Sequence, residues 1–342
     1  MTPQRFSAAW WLPGPHAQTL WGKLFRRQPP HPTHVQRLDT PDGDFLEIHH
    51  TDGDPGAPRL VLLHGLEGTI RSHYLQSLLG EAERRGWAAS ALIFRSCGPE
   101  MNRTRRFYHS GETSDLAFAL ERILVDFPES PILLAGVSLG GNVLLKFLGE
   151  SGTNLDPRII AAAAVSVPFD LRRGSRHIER GFSRVYGRHF IRSLSRKATV
   201  KLQSFPDLVD PVELASIRTM YDFDNRMTAR LHGFKDADDY YSKSSSLGWL
   251  GRISIDTLLL SAVDDPFLPP EVLDEVREIA RANPALHLEF TPRGGHAGFV
   301  GGRNPFNPVY YIEHRVGGFL AERLAHALVG RDAKLNRGLG DA

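Results

Sequence analysis

A chain of 342 residues that is 41% apolar can bury a sizeable core, which excludes a disordered protein and suits one large domain with an insertion, or two domains. The formal net charge of +2 argues against a dedicated nucleic-acid binder, and the longest purely apolar run, residues 159–165, is too short to span a bilayer. A single cysteine, Cys97, excludes an intramolecular disulfide and fits a reducing, cytoplasmic setting.

The start, MTPQRFSAAWWLPGPH, lacks a basic head followed by an apolar stretch, so it does not read as a secretory signal. Trp10, Trp11 and Trp21 read as packing for an arm laid on the core. Residues 38–40 and 45–50 flank Pro41-Asp42-Gly43, a hairpin signal. Residues 59–63, 88–94, 132–137, 159–167 and 257–263 are continuous apolar runs, the pattern of parallel strands covered on both faces. Helical patterns fall at 72–85, 114–126, 141–149 and 270–281, and Ser110 or Thr113 is the expected cap of the second. Leu286, Leu288 and Phe290 alternate with polar residues, which predicts a last strand nearer the sheet edge.

This alternation predicts an α/β fold with a mostly parallel central sheet flanked by helices. The rhythm breaks over 169–250, where Arg, Ser and Tyr replace buried-strand patterns, so that stretch reads as a helical insertion. The expected organisation is an arm at 1–34, a core at 35–168 and 251–330, the insertion at 169–250 and a polar tail at 331–342. Residues 171–197 carry eight Arg, one Lys and a single acid, Glu179. Arginines recur there every four residues from 172 to 196, while Gly174, Gly181 and Gly187 are expected to interrupt any long helix. The plain reading is a solvated surface; the sharper one is a lid that meets anionic lipid or anionic substrate.

The stretch LLAGVSLGGN, residues 133–142, places Ser138 between an apolar strand and a helix, with Gly136, Gly140 and Gly141 around it. Such a turn lifts a serine hydroxyl above the sheet at the strand's carboxyl end. A serine hydroxyl is a weak nucleophile and needs a base. Of fifteen histidines, His296 in TPRGGHAGF is the one beyond the candidate acids that follows a strand in a Gly-rich loop; His287, His314 and His326 fall within regular patterns. The acid belongs at the end of the preceding strand, where LLLSAVDDPFLPP offers Asp265, preferred for its place at the turn, and Asp264 as the alternative. In LLHGLEG, residues 62–68, the backbone N–H of Leu66 is paired with that of Leu139 as a candidate oxyanion hole, and His64 reads as a brace for that loop. His232-Gly233 follows no apolar strand and reads as a decoy, and Cys97 has no acid–histidine pattern organised around it. His109, Glu112 and Asp115 lie close in sequence but match no zinc spacing, so no metal site is assigned.

Together with HAQTLWGKLFRR at 16–27, HGLEGTIRSHY at 64–74, NRTRRFYHSGETSD at 102–115, RGFSRVYGR at 180–188, MTARLHGF at 227–234 and GGHAGFVGG at 294–302, these residues resemble the α/β-hydrolase superfamily. Within it they are similar to the YheT-like esterases of bacteria, related to mammalian abhydrolase-domain lipases. The resemblance implies a serine carboxylesterase acting on short- or medium-chain acyl esters, with Ser138, Asp265 and His296 as the charge-relay triad. It implies no cofactor and a small-molecule acyl ester as partner. Ser96 departs from the family pattern, which has glycine there. Acyl transfer or thioester hydrolysis would use the same triad, and a silent hydrolase fold serving as a binding module is the rival from another class.

Overall fold

The structure, a computed structural model, describes residues 5–338, with side chains described through Val329. Strands β1 (His34–Asp39) and β2 (Phe45–His50) form an antiparallel hairpin. The strands β3 (Arg59–Leu63), β4 (Ala88–Ile93), β5 (Ile132–Val137), β6 (Ile159–Val165), β7 (Thr257–Ala262) and β8 (Leu286–Thr291) run parallel to one another. All eight make one sheet in the order β1-β2-β4-β3-β5-β6-β7-β8, joined where β2 pairs antiparallel with β4. The expected fold class is therefore the observed one. Strands β3, β4, β5 and β7 are buried throughout, which is why their sequences run apolar without a break. β8, at the edge, leaves four of its six residues half-buried.

The two faces are filled by residues that alternate along each strand. Val61 and Leu63 join one core with α3 (Ser114–Asp126), α4 (Leu139–Ser151) and α11 (Glu271–Ala282). Leu60 and Leu62 join the other with α2 (His73–Arg84) and α12 (Tyr311–Gly338). Each such leucine, fully buried, contributes about 1.5–3 kcal/mol. α12 runs straight through the expected boundary at 330, so residues 331–338 extend a helix instead of forming a separate tail; 339–342 lie outside the described residues, as do 1–4 of the arm. Thr113 is the N-cap of α3, as expected, but its side chain does not do the capping. Thr113 spends its hydroxyl on Glu150 (2.7 Å), and Glu112 accepts the Ser114 N–H (3.1 Å) in its place.

Between β6 and β7 lie α5 (Leu171–His177), α6 (Arg184–Lys201), α7 (Pro211–Ser216), α8 (Met220–Phe223), α9 (Ala229–Leu231) and α10 (Ala237–Ser244), with a π-turn at Asp224–Thr228 joining α8 to α9. α6 to α9 share a small core built from Ile191, Ala198, Leu208, Leu214, Phe223 and Met227, and α5 packs on α10 through Leu171, Ala237, Tyr240 and Tyr241. Gly181, at φ 51°, breaks the chain before α6 as expected, but Gly187 does not: α6 is continuous for 18 residues. A lone helical glycine costs only about 1 kcal/mol, less than the packing of Ile191 and Ala198 returns. Arg184, Arg188, Arg192 and Arg196 are all exposed along α6.

In the arm, α1 (Pro15–Phe25) has proline in its first turn, where a missing N–H is harmless. Trp11 and Trp21 pack edge-on at 4.7 Å, beside the short ladder of β9 (Val300–Gly301) and β10 (Val309–Tyr310). Trp10 is the exception, its ring facing solvent.

Candidate active site

Ser138 sits between β5 and α4 with φ 56° and ψ −122°, a conformation that L-residues rarely hold. The turn is tight enough to need its glycines. A Cβ on Gly136 would lie 2.5 Å from the Gly140 carbonyl oxygen, and one on Gly140 would lie 2.5 Å from that of His64. Strain of this kind persists only where the surroundings enforce it, and here it holds the hydroxyl off the sheet.

His296 meets that hydroxyl. Its Nε2 is 2.9 Å from Ser138 Oγ, and its Nδ1 is 2.9 and 3.1 Å from the two Asp265 oxygens. A carboxylate only accepts, so Nδ1 carries the proton and Nε2 accepts from Ser138. The Phe267 ring stacks on the imidazole at 4.1 Å, and its N–H donates to Asp265 Oδ1 (2.8 Å), so one short loop holds both. Asp264 faces elsewhere: its Oδ1 accepts the Gly295 N–H (2.9 Å) and braces the histidine loop by its backbone. Burial raises its carboxyl pKa.

Sequence reasoning missed what seats that loop. Thr19 Oγ1, on α1, accepts the His296 N–H (2.9 Å), and Gln18 clamps Val300 through both its carbonyl oxygen (3.0 Å) and its N–H (2.8 Å). A Cβ on Gly295 would lie 2.4 Å from the Pro15 carbonyl oxygen, and one on Gly298 2.3 Å from that of Gln18. These glycines let the arm approach. The Ser166 hydroxyl completes the seat by accepting the Ala297 N–H (2.9 Å).

After β3, the loop of Gly65, Leu66 and Glu67 lies against the serine; a Cβ on Gly65 would be 3.1 Å from that of Ser138. The Leu66 N–H finds no acceptor among the described residues, and Leu139 opens α4, where an N–H has no helical carbonyl behind it. Both residues line the cavity that Ser138 and His296 line. His64 is fully buried: its Nε2 accepts the Phe94 N–H (3.1 Å), its Nδ1 donates to the Gly65 carbonyl (2.7 Å), and burial pushes its pKa down to about 4. It braces the loop as a neutral ring. Cys97 is buried, its thiol pushed up to about 11, so the thiol is no nucleophile at neutral pH. Ser96 takes φ 62°, the backbone region glycine favours, and its hydroxyl is held by Asn102.

Two cavities meet at Ser138. One, about 110 Å³, runs under the inserted helices between Leu171, Ile178, Phe190, Met220 and Tyr241. A smaller one of about 70 Å³ continues it toward Phe107, Leu194 and Leu231. The other, about 450 Å³, opens outward past Lys23, Arg26, Arg71 and His189. Asp224 lies in the wall of the first, its oxygens accepting from Tyr241 and Thr228 (2.7 Å each), and burial pushes its pKa up to about 6. An acid whose folded pKa is raised contributes stability that is fully present below its unfolded value and is lost as pH rises through about 6. Asp224→Asn is therefore expected to gain on the parent protein by about 1–2 kcal/mol between about pH 5 and about pH 8. Urea unfolding of both across that range measures it, and a constant gap would contradict it.

His109, Glu112 and His232 place metal-capable atoms within 4.8 Å of one another. His109 and Glu112 have their ligand atoms committed to protein. His109 Nδ1 accepts the Gly111 N–H (3.1 Å), which leaves the proton on Nε2, and Glu112 pairs with Arg106 and Ser114. Burial pushes both imidazoles down to about 3, keeping them neutral. Asp115, the third residue of the sequence cluster, turns away to pair with Arg95 (2.7 Å).

The model of the alpha/beta hydrolase fold family matches residues 58–302. Among curated proteins, the chain is 40% identical over 315 residues to the Escherichia coli K12 protein named "Putative esterase YheT", covering 90% of this chain and 91% of that one. It is 28% identical over 309 residues to the mouse "Phospholipase ABHD3", covering 88% and 74%. Among solved structures, the Pyrococcus furiosus esterase Pf2001 superposes with a TM-score of 0.55 at 18% identity, covering 94% of this chain and 99% of that one. No helix among the described residues is long and apolar enough to cross a membrane. A mostly parallel sheet, a strained serine after its central strand, a histidine loop after its last and the match over residues 58–302 lead to one conclusion: the chain belongs to the alpha/beta hydrolase family.

Proposed function

We propose that the chain is a serine carboxylesterase of short- to medium-chain acyl esters, working in the cytoplasm without a cofactor. The observation that carries this reading is the 2.9 Å contact of Ser138 Oγ with His296 Nε2, backed by Asp265 on Nδ1. In this reading Ser138 attacks the ester carbonyl as His296 takes its proton, and Asp265 stabilises the imidazolium. The N–H groups of Leu66 and Leu139 receive the oxyanion. His296 returns the proton to the departing alcohol, and water then repeats the steps on the acyl-enzyme. The apolar cavity of about 110 Å³, with the smaller one that continues it, takes the acyl group. The wide basic cavity takes the alcohol. Lys23, Arg26 and Arg71 line it; Arg26 is paired with Glu313 and Glu67 with Lys197, so Lys23 and Arg71 are the cations that favour an alcohol carrying an anionic group. The names of the esterase and phospholipase relatives support an ester as the substrate.

A fluorophosphonate probe tests the reading. One adduct on the peptide bearing Ser138 is expected, absent from Ser138→Ala, whose kcat falls by about 10⁵-fold or more. Ester series of graded acyl length, with neutral and phosphate-bearing alcohols, then define the substrate. A folded protein that takes no label would instead be a binding module.

A further inference from the structure

Glu67 follows Leu66 and sits at φ 56°, where a non-glycine residue costs about 1–2 kcal/mol. Its surroundings hold it there. Its N–H donates to the Tyr108 hydroxyl (2.8 Å), which donates back to Glu67 Oε1 (2.9 Å). Lys197 Nζ donates to the same oxygen (2.7 Å), and the Ser193 hydroxyl donates to Oε2. The Tyr108 ring lies flat on Phe94 at 5.4 Å, and Phe94 in turn holds His64. The carboxylate is 8% exposed, so these partners replace its water.

Ser193 and Lys197 are one turn apart on α6, in the insertion, whereas Glu67 belongs to the core loop that carries Leu66. A buried charge with three donors on two oxygens strongly favours one arrangement of the groups around it. Glu67, the residue after the candidate donor, is thus tied through its carboxylate to a helix of the insertion and through its N–H to Tyr108.

We propose that Glu67 is a positioning residue through which the docked insertion sets the oxyanion hole: with α6 seated on its carboxylate, the Leu66 N–H points into the cavity, and when α6 lifts, the residue leaves its left-handed conformation and that donor is lost. The proposal rests on the esterase reading of Ser138. Full activity then requires α6 to stay seated on the Glu67 carboxylate.

The test compares Glu67→Gln and Lys197→Met with the parent protein for kcat, KM and inhibition by an alkyl trifluoromethyl ketone, which binds serine as a tetrahedral oxyanion. Losing one oxyanion donor lowers kcat by about 10²–10³-fold. Both variants are expected to lose about 100-fold in kcat, to bind the ketone weaker by a similar factor, and to keep KM within about three-fold. Fluorophosphonate still labels Ser138 to completion in both, only more slowly. Arg173→Gln, which breaks ion pairs from the insertion to Glu275 of α11 and to Asp170 without touching Glu67, leaves kcat unchanged. Should Glu67→Gln not fold, Ser193→Ala, which removes one donor, shows the same paired loss at about five- to ten-fold. Unchanged kcat in folded variants, a rise in KM alone, or an equal loss in Arg173→Gln overturns the coupling while leaving the labelled serine in place. A parent protein that takes no label overturns the reading of Ser138 and the coupling with it.

Discussion

Asp265→Asn is expected to lower kcat for ester hydrolysis by about 10⁴-fold, and Asp264→Asn by less than about ten-fold. The two residues are neighbours in sequence and carry the same group, so the difference isolates geometry. Asp265 accepts from His296 Nδ1 at 2.9 Å. An asparagine can turn its NH₂ toward that nitrogen, which favours the tautomer with its proton on Nε2, and that ring cannot take the Ser138 proton. Asp264 accepts a backbone N–H from Gly295 at 2.9 Å, and the amide oxygen of asparagine can do the same. Steady-state kinetics of both variants beside circular dichroism decide it. Equal losses in two folded variants would assign the acid wrongly.

Arg95→Met is expected to destabilise the fold by about 3–5 kcal/mol without entering the chemistry. Arg95 is 2% exposed and joins Asp44 (2.8 Å), Asp115 (2.7 Å) and Asp42 (2.9 Å). Methionine fills part of the volume but leaves Asp44 and Asp115 without their buried counter-charge. Burial alone would raise the Asp44 carboxyl, yet hydrogen bonds from Asn102, Thr104 and the backbone of Arg103 and Phe45 hold it well below the usual carboxylate range. Its contribution is therefore present above the ordinary carboxylate pKa and lost as pH falls below it. Chemical denaturation at neutral pH measures the cost of Arg95→Met. A loss under about 1 kcal/mol would mean that water or a rearranged side chain reaches the carboxylates.

Where periodicity reports burial, the chain could be read directly. The run Arg-Leu-Val-Leu-Leu at 59–63 has apolar residues on both faces of the strand, and both faces are covered. The strand–serine–helix turn was legible for a similar reason: only glycine tolerates the approaches around Gly136 and Gly140, so the strain leaves its mark in composition. Gly187 misled because its local cost is small beside the packing of α6. The break expected at 330 misled in turn, since a polar helix end looks like a tail when only residue types are counted.

Sequence alone therefore marked the parallel strands, the order in which Ser138, the aspartate pair and His296 follow them, and the loop type that carries each. Each of these is written in local pattern, in burial period or in the glycine demanded by a tight turn. Only the tertiary structure decided which of two adjacent aspartates faces His296, because both lie in the turn after β7, where no strand period sets a side chain's direction. It also decided that Thr19 seats a histidine 277 positions away and that Lys197 reaches a carboxylate 130 positions back. No local pattern marks such pairs, since a single polar side chain reads the same whether it meets water or a distant loop, and the packed core alone brings the two ends together.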